Sequence, residues 1–267
     1  MVALLAPFAP VQAQEPDEER LPDALGFYES LEKYGVEEAK EIPRDQWPPI
    51  PARTRPELIG EEAAAKSRSG TYQSGIQTRS SETWYGMRVR IKGEDIDNDD
   101  PDVNYVRLTP HVLYKYSYSY DYIAIALEAT DSATQLELWT YHKLGSPSYR
   151  YYGTVSISSY YEYSMFIDED EDFEIYYRSY PSGSWQLIRS GSLSWRVSTC
   201  SPFLEHIIYS GSPGEHGDSY WRDIVLYDTD GDGYNWTQSY SGFDNYPLDY
   251  DTWVSSGTRR MDTWSEY

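Results

Sequence analysis

Cysteine is nearly absent from this chain. Cys200 stands alone among 267 residues, which excludes an intrachain disulfide, a c-type haem and a thiolate zinc site. Basic side chains are also scarce: 22 Lys and Arg face 44 Asp and Glu, giving a formal charge of −22 at pH 7. Nucleic acid is a poor partner for such a surface, because phosphate binding needs Lys and Arg to displace counterions. No stretch approaches the ~20 apolar residues that a membrane helix requires, so no membrane span is expected. The four histidines, His111, His142, His206 and His216, show no His-x-x-x-His spacing, which argues against a zinc centre. Neither a Gly-x-Ser-x-Gly elbow nor a phosphate-binding loop occurs. Aromatic residues are abundant instead, with 28 Tyr and 9 Trp. That content is too sticky for simple disorder and favours pleated, half-buried surfaces over helices.

The chain opens MVALLAPFAPVQAQEP. Val2 to Pro10 form a short apolar run, and Val11-Gln12-Ala13 offers small residues at the positions a signal peptidase reads. Residues 1–13 therefore look like the end of a secretory signal, and a secreted, extracellular protein is expected. Residues 14–66 form an acidic, Pro-rich leader. Leu21, Leu25, Phe27, Leu31 and Tyr34 have loosely helical spacing, and then Pro43, Pro48, Pro49, Pro51 and Pro56 break regular structure. A linker and a propeptide are both compatible with that composition.

From Gly70 onward the texture is β. Trp84–Ile91, Tyr105–Tyr116, Tyr122–Ala129, Gln135–His142, Tyr160–Ile167, Phe173–Tyr177, Trp185–Ser190, Phe203–Tyr209 and Trp221–Tyr227 read as strands, separated by turn signals at short spacing. Ile123, Ile125 and Leu127 share one face, and Ala124, Ala126 and Glu128 share the other. The pattern predicts an all-β fold, a two-sheet antiparallel jelly-roll-like sandwich with an N-terminal partly helical, Pro-rich leader. The sandwich is placed at 67–233 and an aromatic C-terminal extension packed on it at 234–267.

Two carboxylates lie in strand-like, aromatic surroundings. Glu137 shares a strand face with Trp139 and Tyr141, and Glu205 shares one with Phe203, Ile207 and Tyr209. A carboxyl among aromatic rings is partly desolvated, which raises its pKa, and a nearby second carboxyl splits the two titrations further. One can then activate water while the other protonates a leaving group. Strands also carry solvent-facing glutamates for no chemical reason, so the residues by themselves leave both readings open. Asp228-Thr-Asp230-Gly-Asp232-Gly places oxygen ligands at alternate positions, as in the first half of a calcium loop. Ser239 stands where an EF-hand needs its bidentate Glu, and an acidic β-turn reads equally well. No cofactor is expected for catalysis, and a structural Ca2+ at Asp228, Asp230 and Asp232 is the candidate ion.

The order of motifs from Trp84 to Asp228 resembles the neprosin family of secreted glutamic endopeptidases, relatives in fold of the eqolisins. Trp84-Tyr-Gly-Met-Arg-Val-Arg-Ile is similar to that family's Tyr-Tyr-Gly strand, and Pro101-Asp-Val to its Pro-x-Val. Leu136-Glu137-Leu-Trp139 approximates its first catalytic stretch, Ile-Glu-Ala-Gly-Trp, with one residue fewer before the Trp. Ser158-Ser-Tyr160-Tyr-Glu-Tyr163-Ser-Met-Phe-Ile167, Gly183-Ser-Trp185-Gln-Leu187 and Tyr220-Trp-Arg-Asp-Ile-Val-Leu-Tyr-Asp228 resemble later motifs in the same order. The family's second Glu follows Trp-Gly-Gly, whereas Phe203-Leu-Glu205-His-Ile-Ile-Tyr stands in the comparable stretch. Matching the next Tyr-Ser puts Ile207 rather than Glu205 at the second catalytic position. The family's disulfide-bearing insert is absent.

The resemblance implies acid-favoured peptide hydrolysis with Glu137 and Glu205 as the carboxyl pair. Trp139, Tyr141 and Tyr209 would then contact the polypeptide substrate, and the leader would resemble an inhibitory propeptide. Two other classes remain open on the residues alone. Paired carboxylates on a jelly roll also serve glycoside hydrolysis. A non-catalytic glycan-binding, adhesive or fibre-forming module would use the exposed Tyr and Trp, with self-association through a strand-adding N-terminal arm.

Overall fold

The computed structural model describes residues 24–48, 71–78, 83–94, 105–114, 122–129, 134–144, 146–193, 203–209, 218–236, 240–244, 248–255 and 258–265. The signal-like segment 1–13, Glu61–Lys66, the Tyr116–Tyr120 tract, Cys200 and the Ser212-Pro-Gly turn lie outside these residues. One helix, α1 (Phe27–Tyr34), precedes β1 (Val36–Glu38) and a 3-10 turn at Arg44–Gln46. The strands that follow are β2 (Thr71–Thr78), β3 (Gly86–Gly93), β4 (Tyr105–Tyr114), β5 (Tyr122–Ala129), β6 (Gln135–Leu144), β7 (Ser146–Ser156) and β8 (Tyr161–Ile167). Then come β9 (Asp172–Ser179), β10 (Trp185–Ser192), β11 (Phe203–Tyr209), β12 (Ser219–Tyr227), β13 (Gly233–Asn235), β14 (Tyr240–Asp244), β15 (Leu248–Ser255) and β16 (Thr258–Ser265).

These strands make two sheets. Sheet A runs β1-β10-β9-β8-β3-β12-β16-β15, with β13 also on β12, and sheet B runs β14-β2-β11-β4-β5-β6-β7. Every described pairing is antiparallel except β1 on β10. The molecule is thus the expected two-sheet sandwich, with one parallel strand contributed by the leader. None of the described helices is long and apolar enough to cross a membrane.

Period-two alternation explains how the sheets stack. On β5, Ile123, Ile125 and Leu127 point into the main core, where Met87, Val89 and Ile91 of β3 and Met165 and Ile167 of β8 meet them. Each fully buried side chain of this size contributes about 1.5–3 kcal/mol. Tyr122, Ala124 and Ala126 point to the outer face of sheet B. The strand expected from Trp84 begins two residues later. At Gly86 a Cβ would lie 2.1 Å from the Met165 carbonyl oxygen, so β3 and β8 approach too closely for any side chain there. The C-terminal strands complete both sheets. β14 forms one border of sheet B on β2, and the β15–β16 hairpin carries sheet A beyond β12.

The leader divides into two differently attached parts. Helix α1 lies on the outer face of sheet A, where Phe27 packs on Phe166 and Tyr227 with ring centroids 4.7 and 5.6 Å apart. Glu29 accepts the Gly26 N–H at 3.0 Å to close the first turn, and Gly35 (φ 75°) ends the helix. Ser30 is buried and accepts from Arg88 Nη1 (3.0 Å) and Trp185 Nε1 (3.1 Å). After β1 the chain crosses the lateral edge of the sandwich and lays Ile42 and Trp47 on the outer face of sheet B.

Candidate functional site

The outer face of sheet B carries the chemistry-bearing residues. Register places Arg107 of β4 opposite Glu128 of β5, and Glu128 opposite Glu137 of β6. Directly opposed residues have Cβ atoms about 4.5–5.5 Å apart, so the two carboxylates are neighbours in one row. Like charges so placed repel each other, and Arg107 offsets that repulsion from the far side of Glu128. Its Nε and Nη2 both donate to Glu128 Oε1, at 3.2 and 2.7 Å. The Tyr141 hydroxyl donates to the same oxygen, and the guanidinium lies 5.0 Å from the Tyr141 ring centre. Arg107 is 1% exposed and Glu128 3%, so both have left water as a hydrogen-bonded pair.

Glu137 differs from Glu128 in both burial and partner. It is half-buried, and Trp139 Nε1 donates to its Oε2 at 2.9 Å. Trp139 stacks toward Tyr141 and packs on Tyr151, with centroids 6.5 and 4.9 Å away. The Tyr151 phenol is raised above its ordinary pKa by burial and then by the Glu137 charge. A break in the β6–β7 register brings these rings together. Glu137 pairs with Thr154, whereas Trp139 pairs with Tyr151, so β7 holds one extra residue between them. Gly153 supplies the required left-handed backbone at φ 97°. The bulge places Tyr151 beside Trp139 and turns Tyr152 toward the main core.

The leader covers part of this row. The Ile42 N–H donates to the Tyr151 carbonyl at 3.3 Å. The 3-10 turn then brings Trp47 edge-on to Trp139 at 5.7 Å, and Trp47 Nε1 donates to the Ile42 carbonyl at 2.6 Å.

The remaining expected site residues are placed as follows. Glu205 and Tyr209 lie on β11, where Glu205 pairs with Thr109, Ile207 with Arg107 and Tyr209 with Tyr105. Their side chains lie outside the described residues. Three strand spacings, about 14 Å, separate β11 from β6, so Glu137 and Glu205 are not neighbouring cross-strand residues. Asp228, Asp230 and Asp232 form a tight turn. Asp228 Oδ1 accepts the N–H groups of Asp230 and Asp232 at 3.1 and 2.9 Å, and Oδ2 accepts the Tyr234 hydroxyl at 3.1 Å. Asp168 makes the same backbone contacts with Asp170 and Asp172 at another hairpin tip. Among the described residues no group of three His, Cys, Asp or Glu side chains is arranged to hold a metal ion.

Glu128 and Arg107 had not been singled out as site residues. The signal for Glu128 was a lone carboxylate on an otherwise alanine-lined strand face. Such a face lies against something, and a carboxylate there requires a buried cation.

No protein-family model and no curated protein sequence matches this chain. Solved structures do. The chain is similar to scytalido-glutamic peptidase with a peptide-based transition-state analogue, at TM-score 0.50 and 12% identity over 73% of this chain and 98% of that one. It is also similar to the same peptidase with a transition-state analogue inhibitor, at TM-score 0.49 and 10% identity over 73% and 98%. A third likeness is to SCP-B, a member of the eqolisin family in complex with the tripeptide Ala-Ile-His, at TM-score 0.41 and 12% identity over 73% and 98%. At 12% identity the first of these is a likeness of fold alone, that of a two-sheet β-sandwich.

Proposed function

We propose that the chain is a secreted, acid-acting glutamic endopeptidase of the neprosin type, with Glu137 as the carboxylate that activates water. The observation that carries this reading is the state of Glu137. It is half-buried in an aromatic row, hydrogen-bonded through one oxygen by Trp139 Nε1, and opposed by a second carboxylate that Arg107 already neutralises. Glu128 serves as the anchor of this row, because both guanidinium contacts and the Tyr141 hydroxyl converge on it.

In this reading an extended peptide crosses the outer face of sheet B between β6 and β11. Glu137 takes a proton from water as the oxygen adds to the peptide carbonyl carbon. The amide nitrogen takes its proton from the acid solvent as the C–N bond breaks, because the Glu205 strand lies three strand spacings from β6, and exchange with solvent resets Glu137. Trp139 and Tyr141, each 1% exposed, line the groove once its cover is withdrawn. The leader acts as an inhibitory cover, its Trp47 standing on Trp139. The fold shared with scytalido-glutamic peptidase supports the assignment.

Cleavage of a denatured protein by the full chain, followed from neutral to acid pH, tests it. Activity should appear on acidification, be lost in Glu137→Gln, which keeps side-chain shape, and survive in Glu205→Gln, whose strand lies about 14 Å from β6. Retention of full activity in Glu137→Gln would refute the reading. The partly exposed Trp47 and Tyr149, at the rim of the buried Trp139–Tyr151 cluster, also favour a second reading, a glycan-binding surface on which sugars stack. Glycan binding that persists in both glutamine variants, without proteolysis, would select it.

A further inference from the structure

A second feature lies away from Glu137, at the lateral edge where β1 and β10 of sheet A face β7 of sheet B. A cavity of about 150 Å3 opens there, lined by Glu38, Glu41, Arg150, Tyr152, Leu187 and Arg189 among others. At about 30 Å3 per water in the liquid, this is room for about five waters.

Arg189 sits behind this cavity and is 5% exposed. A register shift between Leu187 and Arg189 on β10 accompanies its inward turn. Its Nη1 donates to the Thr140 carbonyl (3.3 Å), Thr140 Oγ1 (3.4 Å) and the Ser148 carbonyl (3.2 Å). Its Nη2 meets Ser148 Oγ at 3.0 Å and His142 Nδ1 at 3.2 Å. All of these acceptors are neutral. Arg107 and Arg178, also buried, are each paired with a buried glutamate, but Arg189 has no ion-pair partner among the described residues.

Arg150 is a second cation, and its closest carboxylate, Glu41, stands 3.9 Å away with both side chains nearly half exposed. Such a pair is weak. The buried Tyr152 hydroxyl has no acceptor, and its neighbour Arg150 can only donate to the phenol oxygen, so the Tyr152 proton is available to an acceptor in the cavity. The positive field has a measurable footprint on the neighbours. His142 is pushed down to about 4, by burial first and then by Arg189 and Arg150. Arg189 is lowered to about 10, by burial and then by Arg150.

We propose that this cavity binds a small oxyanion of the phosphate, sulfate or carboxylate class, held by the Arg150 guanidinium and the Tyr152 hydroxyl in front of Arg189. Glu38 and Glu41 set its limits. They are exposed, they stand on the leader, and the Glu41 carboxylate competes for Arg150. The site takes a compact anion that reaches past this rim, and it excludes long polyanions that the acidic surface repels. It is independent of the reaction assigned to Glu137, because Arg150 and Tyr152 lie across sheet B from that carboxylate and the other lining residues belong to sheet A and the leader.

Thermal unfolding of the full chain at pH 7, with phosphate, sulfate or acetate exchanged for chloride at constant ionic strength, tests the proposal. A bound anion raises the midpoint with saturating concentration dependence. At least one of the three anions should do so, and the rank order among them identifies the preferred class. Arg150→Gln, at a half-exposed position, should remove the shift without loss of folding. Glu41→Gln should tighten binding about two- to fivefold, the release expected from a weak surface pair. No saturable shift with any of the anions, an undiminished shift in Arg150→Gln, or binding no tighter in Glu41→Gln overturns the proposal.

Discussion

The Arg107–Glu128 pair gives a quantitative test of how the outer face of sheet B is held. Arg107→Met keeps the length of the side chain but strands Glu128, which is 3% exposed, with the Tyr141 hydroxyl on an oxygen that Arg107 had shared. Breaking a buried pair from one side costs about 3–5 kcal/mol. In domains of 150–250 residues each kcal/mol moves the midpoint about 2–4 °C, so the variant should melt about 6–20 °C below wild type. Glu128→Leu removes the carboxylate to which the Arg107 Nε and Nη2 donate and should cost a similar amount.

The double variant separates charge from packing. Arg107→Met/Glu128→Leu has no buried charge, and replacing a buried pair by apolar groups is often neutral or stabilising. The Tyr141 hydroxyl loses its acceptor on Glu128, at a cost of about 1–3 kcal/mol. The double variant should therefore lie within about 3 kcal/mol of wild type, with a coupling energy of about 3 kcal/mol or more. Urea unfolding at pH 7 measures all four corners. At lower pH the stranded carboxyl in Arg107→Met takes up a proton, and the deficit should shrink. Single variants that each cost under about 1 kcal/mol, or a strictly additive double variant, would refute the claim that this pair organises the face.

Three further outcomes follow from the contacts. Gly86→Ala forces a methyl against the Met165 carbonyl, 2.1 Å from its Cβ position, and should cost about 1–3 kcal/mol in urea unfolding, whereas Gly153→Ala meets only Ile42 Cδ1 at 4.0 Å, an ordinary contact, but a strained φ of 97°. His142 has a folded-state pKa of about 4 against an ordinary value of 6.5. As pH falls from 6.5 to 4 the unfolded chain gains a proton that the folded one refuses, so stability falls across that window and levels below it. The difference between wild type and His142→Gln, measured by urea midpoints at several pH values, isolates this contribution. Asp228→Ala removes the acceptor of two backbone N–H groups and the Tyr234 hydroxyl and should cost about 2–4 kcal/mol with or without calcium. A loss confined to calcium-containing buffer would assign the turn to an ion.

Much of the fold was legible because its strands alternate strictly. Tyr122–Ala129 and Phe203–Tyr209 were expected over the residues they occupy, since both are bounded runs of apolar and aromatic residues. β2 and β7 escaped notice for opposite reasons. Thr71–Thr78 holds only Tyr72 and Ile76 as large apolar residues, and its strand state rests on pairing with β11 and β14. Ser146–Ser156 carries a bulge at Gly153 that breaks the period-two signal. The site was half legible. Glu137 stood out through Trp139 and Tyr141, its neighbours on the same strand. Glu128 and Arg107 depend on cross-strand register over 21 residues of separation, which local spacing does not encode.

The two parts of the leader differ in what holds them, and that difference decides how the Glu137 row can be uncovered. Residues 24–38 are built into sheet A. Phe27 and Ser30 are each 1% exposed, the Gly35 carbonyl accepts the Trp185 N–H at 2.9 Å, and Gly233 leaves room for the Leu25 carbonyl, 2.5 Å from where its Cβ would be. Losing that part would strip Trp185 and Arg88 of partners in the interior. Among the described residues, 42–48 meet sheet B through the Ile42 backbone hydrogen bond to Tyr151, the Ile42 side chain and the ring contact of Trp47 with Trp139, and an aromatic pair of that kind contributes about 0.5–1.5 kcal/mol beyond its area. Trp47→Ala should therefore lower stability by about 1–2 kcal/mol, leave the midpoint transition cooperative, and expose Trp139 to a fluorescence quencher. A tryptic nick after Lys40 or Arg44, read by mass spectrometry, should give the same exposure while residues 24–40 stay bound to the sandwich. Release of the whole leader on nicking would show that the helix and the cover leave together, and that the attachment argued from Phe27, Ser30 and Gly233 is wrong.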